Sequence, residues 1–366
     1  MHLTLVISSL NPGGAERVLS NLANYWVSKG HQVSLITFAS PTALPFYSLD
    51  PKINLIQLGQ THSESNLFKR VINSLKRILT LRKTLQKLKP DRIISFVDVT
   101  NITTLMASFW LKTPVIVSER THPGHYKIPG LYNVLRRWVY PKATCVVVQT
   151  QGAADYFKDL KNLEIIPNAV PLPACTKDHH TIKHIISLGR LCPFKGFDTL
   201  IHSFSHLLRT HPHLTLTIYG EGAERPRLES LIRSLNLQSK IHLPGTTPNV
   251  QEALLNADLF IFPSHYEGFP NALCEAMAVG LPVIASNCSG TIDIIRDTID
   301  GRLFPIGDGD ALTKIALELL NDPVQCQRLG QQAKEVTTRF SPDRIFALWD
   351  KVLGNNVLGH KILEKK

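Results

Sequence analysis

The feature that most constrains the fold is a strand, a loop and a helix in direct succession in the second half of the chain. The apolar run from Ala257 to Phe262 predicts a buried parallel strand, because it is short and continuous. Gly268 and Pro270 interrupt that run, and residues Asn271 to Val279 then predict a helix that ends at Gly280. Such an alternation of strand and helix is typical of α/β domains with a parallel sheet.

Two carboxylates flank the loop of this element. Glu267 lies in the loop and Glu275 inside the helix, with seven residues between them. Ligands of open α/β sheets bind at the carboxyl ends of the strands, where a helix N-terminus offers unpaired N–H groups to an anion. The turn from Gly268 to Asn271 adds amide donors there. The structural alternative is that Glu275 merely complements the helix dipole.

The length and composition predict two globular domains. A chain of 366 residues is too long for one ordinary core, and 43% hydrophobic and 19% charged residues can build two. The prolines of Pro167 to Pro171, with the polar residues that follow, mark a linker between them. Six cysteines lie far apart without CxxC spacing, which argues against a zinc site or disulfide framework and for a reducing cytoplasm.

The N-terminus and the net charge limit the kinds of partner. The apolar residues His2 to Leu10 lack a basic lead and a cleavage site, so they predict a first strand and not a signal peptide. No apolar stretch approaches the roughly 20 residues that span a bilayer, so any membrane contact is expected to be peripheral. A net charge of +11 indicates an anionic partner, which is nucleic acid, a phosphorylated ligand or a membrane surface.

A glycine pair follows the first predicted strand. Gly13 and Gly14 open a helix that runs to about Ser28, and His31 to Phe38 form the next strand. Glycines at such a position let a phosphate or a sugar approach the backbone closely. A plain tight turn is the alternative interpretation.

The segment from Leu67 to Lys89 combines apolar residues at helical spacing with eight cations and no acid. Charged helix faces normally mix signs, and unbalanced cations repel one another unless an anion neutralises them. The segment therefore predicts contact with an anionic membrane surface or a diphosphate-bearing acceptor, and a solvated face is the structural alternative. Nucleic acid fits less well, because no aromatic residues interleave with the charges. The candidate contacts are Lys69, Arg70, Lys76, Arg77 and Lys83.

Two further cations follow the predicted strand His184 to Leu188. Arg190 and Lys195 lie in the loop before a helix that starts at Thr199. A guanidinium can bind two phosphate oxygens at once, and a lysine adds a mobile point charge. The glycine spacing differs from that of a Walker loop.

These motifs together resemble the retaining glycosyltransferases of family 4. The chain has the Glu-x7-Glu spacing of Glu267 and Glu275, the Gly-Gly-Ala-Glu-Arg pattern at residues 13–17, and the pair Arg190 and Lys195. The resemblance covers nearly the whole chain and implies an α/β fold of the GT-B class, two Rossmann-like doubly wound domains that face a central cleft. The implied divisions are an acceptor domain at 1–170, a nucleotide-sugar domain at 171–340, and a helix at 341–366 that returns to the first domain.

The resemblance also implies roles for individual residues. Arg190 and Lys195 are expected to bind the donor's diphosphate, Glu275 the ribose hydroxyls, and Glu267 the sugar hydroxyls beside the anomeric carbon. The stretch from Ser118 to Pro123 resembles a loop of members that add N-acetylhexosamines to polyprenyl-diphosphate-linked oligosaccharides. It implies that His122 contacts the transferred sugar, with His125 as a competitor and a surface histidine without a role as the alternative. Further implied donor contacts are Gly13, Gly14, Glu221, Gly245, Gly268, Phe269, Pro270, Asn271 and Leu273.

The expected function is transfer of an N-acetylhexosamine or hexose from a UDP-sugar to a lipid-linked or envelope saccharide. The enzyme is expected on the inner face of the cytoplasmic membrane and is expected to need no cofactor. No DxD-like metal pair stands at a strand end, so no metal requirement is predicted. A hydrolase with two carboxylates would leave Arg190 and Lys195 unused. A UDP-N-acetylglucosamine epimerase would share the architecture without needing the cationic helix. A catalytically silent binding protein of the same fold would be expected to have lost a site residue. A nucleic-acid-binding protein would instead bind DNA in a salt-dependent manner.

Overall fold

The computed structural model of the chain describes residues 1–60, 67–124, 128–177 and 182–354, and for residues 67–70 it describes the backbone alone. These residues form two compact units. The N-terminal unit comprises the described residues of Met1–Asn168 together with residues 345–354, and the C-terminal unit comprises those of Ala169–Arg344.

The N-terminal unit is built on a sheet of seven parallel strands in the order β3-β2-β1-β4-β5-β6-β7. Its strands are β1 (His2–Ile7), β2 (Gln32–Thr37), β3 (Asn54–Gln57), β4 (Arg92–Phe96), β5 (Val115–Ser118), β6 (Cys145–Val148) and β7 (Leu163–Ile165). Its helices are α1 (Gly14–Ser28), α2 (Leu67–Leu88), α3 (Asp98–Ser108), α4 (Gly130–Val139) and α5 (Gln151–Tyr156).

The strands of this sheet are continuous apolar runs because helices cover both faces. In β1 the side chains of Leu3, Leu5, Val6 and Ile7 are all fully buried, although successive side chains point to opposite faces. This is the burial expected of a parallel sheet between two helical layers. Thr150 caps α5 through its hydroxyl, which accepts a hydrogen bond from the Ala153 N–H.

The C-terminal unit has a second parallel sheet, of six strands in the order β10-β9-β8-β11-β12-β13. The strands are β8 (His184–Leu188), β9 (Thr215–Tyr219), β10 (Ile241–Gly245), β11 (Leu259–Phe262), β12 (Val283–Ser286) and β13 (Arg302–Phe304). The helices are α6 (Phe197–Leu207), α7 (Arg225–Ser234), α8 (Val250–Leu255), α9 (Asn271–Ala278), α10 (Gly309–Asn321), α11 (Pro323–Ala333) and α12 (Val336–Arg339).

The last described helix, α13 (Pro342–Gly354), passes from the second unit into the first. Its Trp349 is fully buried and packs edge-on against Trp26 and stacked against Phe96. The Asp350 carboxylate accepts hydrogen bonds from the Tyr25 hydroxyl at 2.7 Å and the Trp26 indole N–H at 3.0 Å. The C-terminal part of α13 is therefore part of the N-terminal unit's core.

Each sheet reverses its direction of growth at one position. In the C-terminal unit the chain adds β9 and β10 on one side of β8, and then adds β11, β12 and β13 on the other side. The crevice between the carboxyl ends of β8 and β11 is therefore the topological switch point, where ligands of open α/β sheets bind. In the N-terminal unit the corresponding pair is β1 and β4.

Among the helices that the structure describes, none has both the length and the apolar character needed to cross a bilayer.

Candidate functional site

The switch point of the C-terminal unit brings two of the predicted site residues together. Lys195 ends a short 3-10 turn, Pro193–Lys195, that follows β8, and Glu267 lies in the loop after β11. Lys195 Nζ and Glu267 Oε1 are 2.6 Å apart, and each side chain is only 14% exposed. The Lys195 ammonium group also lies 5.0 Å from the centre of the Phe262 ring. A sheltered cation and carboxylate thus share the position where the topology predicts a ligand.

Backbone contacts fix these two loops against each other. The His265 N–H donates to the Phe194 carbonyl at 2.7 Å. Gly196 has a left-handed φ of +64°, and a Cβ there would collide with the Pro263 carbonyl oxygen. Only glycine therefore allows the turn after Lys195 to approach the end of β11 this closely.

An aromatic pair adds a side-chain contact between the same loops. The rings of Phe194 and Tyr266 are stacked, with their centroids 4.5 Å apart. Phe194 immediately precedes Lys195, and Tyr266 immediately precedes Glu267. This pair was not predicted from the sequence, in which its only signal is an aromatic residue before each charged one.

Arg190 lies in the same loop as Lys195, and its side chain is exposed. Cys192 stands between the two in sequence, and burial raises the pKa of its thiol while the charges of Lys195 and Arg190 oppose that rise. The positive charges of Arg190 and Lys195 therefore both act on the Cys192 thiol. Arg190 and Lys195 present positive charge at the carboxyl end of β8.

The helix after β11 begins at Asn271, as the sequence predicts. The first turn of this helix directly follows the loop that carries Gly268 and Pro270, so its backbone N–H groups lie beside that loop. The side chains of Phe269 and Leu273 are buried in the hydrophobic core, so only their main chains remain for a ligand.

Glu275 is half-buried on the second turn of α9. It lies four residues after Asn271, and residues at this spacing share one face of a helix. Both of the predicted carboxylates are thus on the strand-loop-helix element that the sequence singled out, Glu267 before the helix and Glu275 within it.

Glu221 and Gly245 lie at the carboxyl ends of β9 and β10. The Leu191 N–H donates to the Glu221 carbonyl at 2.9 Å, and the Gly220 N–H donates to the Gly245 carbonyl at 2.8 Å. These bonds join three successive loops at one edge of the sheet. The Glu221 carboxylate accepts two hydrogen bonds from Arg225, at 2.6 and 2.8 Å, which lower its pKa.

The first glycine of the N-terminal pair lies against a neighbouring carboxylate. Gly13 precedes α1, and the Tyr47 hydroxyl lies 3.3 Å from its nitrogen and 3.1 Å from its carbonyl oxygen. The Glu16 carboxylate folds back so closely that a Cβ on Gly13 would collide with it. Burial raises the pKa of Glu16, while its own backbone N–H and the charge of Arg120 oppose the rise. Gly14 is the first residue of the helix.

His122 lies half-buried in the loop after β5, where its Nδ1 accepts a hydrogen bond from the Gly124 N–H at 3.2 Å. His125, the predicted competitor, lies outside the described residues.

A buried ionic network underlies this loop and was not identified from the sequence. The Glu119 carboxylate accepts a hydrogen bond of 2.6 Å from the Tyr140 hydroxyl and lies 3.4 Å from the Arg136 guanidinium. Burial raises the pKa of Glu119 to about 7; the Asp98 charge adds to the rise, whereas Tyr140 and Arg136 oppose it. The available signal was the pair of charged residues directly after an apolar strand.

Arg120 is the second buried charge of this loop. Its guanidinium donates hydrogen bonds to Asn168 Oδ1 and to Ser118 Oγ, and it lies 4.7 Å from the centre of the Phe96 ring. Burial lowers the pKa of Arg120 to about 9, and the Glu16 charge opposes that change.

The cations predicted on α2 differ in their surroundings. The side chains of Lys76 and Lys83 are exposed. Arg77 instead contributes to the fold, because its Nε donates to the Gln60 carbonyl at 2.9 Å and its guanidinium lies over the Phe38 ring. Lys69 and Arg70 belong to the first turn of α2, where the structure describes only the backbone.

Within the described part of the chain, no three His, Cys, Asp or Glu side chains lie close enough together to hold a metal ion.

Comparison with known protein families agrees with this architecture. Residues 12–172 match the family described as Glycosyltransferase Family 4, and residues 177–336 match Glycosyl transferases group 1. One relative is a GalNAc-α-(1→4)-GalNAc-α-(1→3)-diNAcBac-PP-undecaprenol α-1,4-N-acetyl-D-galactosaminyltransferase of Campylobacter jejuni. The two sequences are 30% identical, over 96% of this chain and 98% of the relative.

Solved structures share the fold at lower sequence identity. Sucrose-phosphate synthase from Thermosynechococcus elongatus superposes with a TM-score of 0.82, at 19% identity, over 96% of this chain and 98% of that structure. HepE of Anabaena, solved with UDP and glucose, gives a TM-score of 0.77 at 18% identity, over 96% and 99% of the two chains. The predictions of a GT-B fold and of a glycosyltransferase are confirmed. The chain belongs to the family 4 glycosyltransferases.

Proposed function

We propose that this glycosyltransferase moves an N-acetylhexosamine or hexose from a UDP-sugar to a lipid-linked or cell-envelope saccharide, with retention of configuration. The observation that carries the proposal is the sheltered pair of Lys195 and Glu267, 2.6 Å apart at the switch point of the C-terminal sheet. The Campylobacter relative is named for an undecaprenyl-diphosphate-linked acceptor, and HepE was solved with UDP and glucose. Both names support this choice of substrates.

Lys195 and Arg190 would receive the diphosphate of the donor. Negative charge grows on the departing phosphate as the bond to the sugar breaks, and fixed cations stabilise that charge more than they stabilise the bound donor. The N–H groups at the start of α9 would add hydrogen-bond donors, which carry partial positive charge. With these charges present, we propose that transfer needs no metal ion.

Glu267 would face the sugar and balance the positive charge that develops at the anomeric carbon, while Glu275 would bind the ribose hydroxyls. The acceptor hydroxyl forms the new bond on the face from which the phosphate departs, and the departing phosphate oxygen takes the hydroxyl proton. The products are UDP and an extended saccharide with the donor's anomeric configuration. His122 is the residue of the N-terminal unit that we propose contacts the transferred sugar, together with Gly13 and Gly14.

The acceptor is proposed to reach the enzyme at the cytoplasmic face of the membrane. Lys76 and Lys83 are exposed on α2, a helix without an acidic residue. They would bind phosphate groups, either those of anionic lipids or the diphosphate of the acceptor. Each basic residue close to an anionic surface contributes about 1 kcal/mol, so a few of them give reversible attachment.

The test is incubation of the purified enzyme with a panel of UDP-sugars and polyprenyl-diphosphate-linked saccharides. We expect UDP release coupled to a longer saccharide, an unchanged anomeric configuration by NMR, and an unaltered rate in EDTA. Inversion of configuration would contradict the proposed mechanism. The absence of both transfer and UDP release across the panel would contradict the proposed substrates.

A further inference from the structure

One face of α4 is apolar and exposed. Leu131, Val134 and Trp138 are 62%, 67% and 53% exposed, and their spacing of three and four residues places them on a single side of the helix. Arg136 and Val139 on the opposite side are buried. The exposed side is thus an apolar face that lies opposite the side packed against the core.

The helix α2 also has two apolar faces. Leu81 and Leu85 are buried against the core, whereas Val71, Leu75 and Leu79 recur every four residues and are about half exposed. The helical spacing in the sequence predicted that the apolar residues of α2 form one stripe. In the structure, part of that stripe faces outward, because only the side with Leu81 and Leu85 packs against the core.

Side-chain contacts connect the segments that carry these two exposed faces. The Ser74 hydroxyl of α2 lies 3.0 Å from the Tyr132 hydroxyl of α4. Just after α3, the Phe109 ring stacks on Trp138 at 5.7 Å and contacts Trp110, which is 75% exposed. We define the apolar patch as Val71, Leu75, Leu79, Phe109, Trp110, Leu131, Val134 and Trp138. Exposed apolar patches of this kind mark protein or membrane contacts.

Cations surround the apolar patch. The Arg82 guanidinium lies 4.5 Å from the centre of the Trp110 ring, and the Lys142 ammonium lies 3.6 Å from that of Trp138. The three segments that form the patch, residues 67–89, 109–113 and 130–142, contain no Asp or Glu. Tryptophan and basic residues around aliphatic ones fit the interface of an anionic bilayer, where rings lie at headgroup level and cations meet phosphates.

We infer that the apolar patch inserts into the surface layer of an anionic membrane. This inference rests on the proposed function, since a lipid-linked acceptor lies at such a surface. It goes further by assigning the attachment to insertion of exposed apolar side chains as well as to charge. A purely electrostatic attachment through Lys76 and Lys83 would be lost at high salt. Insertion of the apolar patch would keep part of the binding.

Tryptophan fluorescence can report insertion directly, because the chain has four tryptophans and two of them, Trp26 and Trp349, are fully buried. Vesicles of phosphatidylcholine and phosphatidylglycerol with brominated acyl chains should quench Trp110 and Trp138 and shift their emission to the blue. Part of the quenching should persist in 0.5 M NaCl, as a fraction of about one third or more. Binding to these vesicles without quenching would overturn the inference.

The variant Leu131→Ser with Val134→Ser should reduce vesicle partitioning at least tenfold. Its UDP affinity and its transfer to a short-chain, water-soluble acceptor should stay unchanged, so failure of membrane insertion is distinguished from failure of the proposed function. Val324→Ser is the matched control, because Val324 is 76% exposed on α11 of the other unit. Wild-type partitioning of the double variant would contradict the inference. So would a wild-type dimer that the double variant abolishes, since a second copy would then cover the patch.

Discussion

Lys195 has a carboxylate partner, Glu267, at 2.6 Å, so a phosphate bound beside it would share the ammonium group with that carboxylate. The pair has little net charge until a phosphate draws the ammonium group away. Glu267 would then be a partly uncompensated carboxylate next to the sugar, where positive charge develops in the proposed transfer. In the proposed mechanism, one contact between two residues would thus connect donor binding to stabilisation of the reacting carbon.

Glu119 gives a prediction that does not depend on any substrate. Its pKa is raised to about 7 in the folded chain, so the folded state binds the proton more tightly than the unfolded state does. The resulting stabilisation is complete below the ordinary glutamate pKa of about 4.3 and is lost as the pH rises through 7. Between pH 5 and pH 8 we expect the free energy of unfolding of wild type to fall by up to roughly 3 kcal/mol relative to that of Glu119→Gln.

Chemical denaturation of both proteins at pH 5, 6, 7 and 8 measures this difference. Glu318→Gln is the control, because Glu318 is partly exposed and paired with Arg302 at the surface. A difference between wild type and Glu119→Gln that does not change with pH would show that Glu119 has no raised pKa.

The sequence predicted some of these residues and missed others for a physical reason. Glu267, Lys195 and Arg190 stand at strand ends, and parallel strands bring their carboxyl ends to one edge, so their neighbourhood followed from topology. The bond from Tyr140 to Glu119 depends on how a helix end packs against a distant strand. No periodicity in the sequence encodes such a contact.

The element that holds the candidate site is a pair of loops joined by Phe194 and Tyr266. Stacked aromatic pairs contribute about 0.5–1.5 kcal/mol beyond their burial, so losing one ring should loosen both loops without unfolding the sheet. We expect Phe194→Ala and Tyr266→Ala to lower kcat by about tenfold, with a smaller change in KM, because Lys195 and Glu267 lose their alignment.

Steady-state kinetics of four variants test this positioning role. Tyr266→Phe and Phe194→Tyr keep the stacked rings and should retain near wild-type kcat. Alanine variants whose melting temperature falls while kcat is unchanged would show that the pair only stabilises the fold.

The elements themselves were predictable to different degrees. The strand His184–Leu188 was predicted to the residue because it is a buried, continuous apolar run. The helix α2 was recognised from its spacing, but the pattern did not show which of its two apolar faces meets the sheet. The edge strand β3 was missed because it is only four residues long and none of them is buried.

At the scale of the whole molecule, α13 contributes a core residue of the N-terminal unit from the far end of the described chain. Trp349 is fully buried between Trp26 and Phe96. Replacing a buried tryptophan by alanine costs about 3–5 kcal/mol. We expect Trp349→Ala to destabilise the N-terminal unit by roughly that amount while leaving UDP affinity nearly unchanged, because the proposed phosphate site lies in the other unit.

Calorimetric unfolding with and without UDP separates the two units, since UDP should raise the transition of the unit that binds it. Trp349→Ala should lower the other transition. Trp110→Ala is the control, because Trp110 is largely exposed and its loss should leave both transitions in place. A fall confined to the transition that UDP raises would contradict this assignment.

The most direct test of the central claim is calorimetric titration of UDP and of uridine into wild type, Lys195→Met and Lys314→Met. Lys314 is an exposed lysine on α10 of the same unit and serves as the matched control. Hydrogen bonds to charged groups contribute about 1.5–3 kcal/mol, so Lys195→Met should bind UDP roughly 10- to 100-fold more weakly. Uridine should bind wild type, Lys195→Met and Lys314→Met alike. Equal UDP affinity in wild type and Lys195→Met would contradict the placement of the donor's diphosphate between β8 and β11.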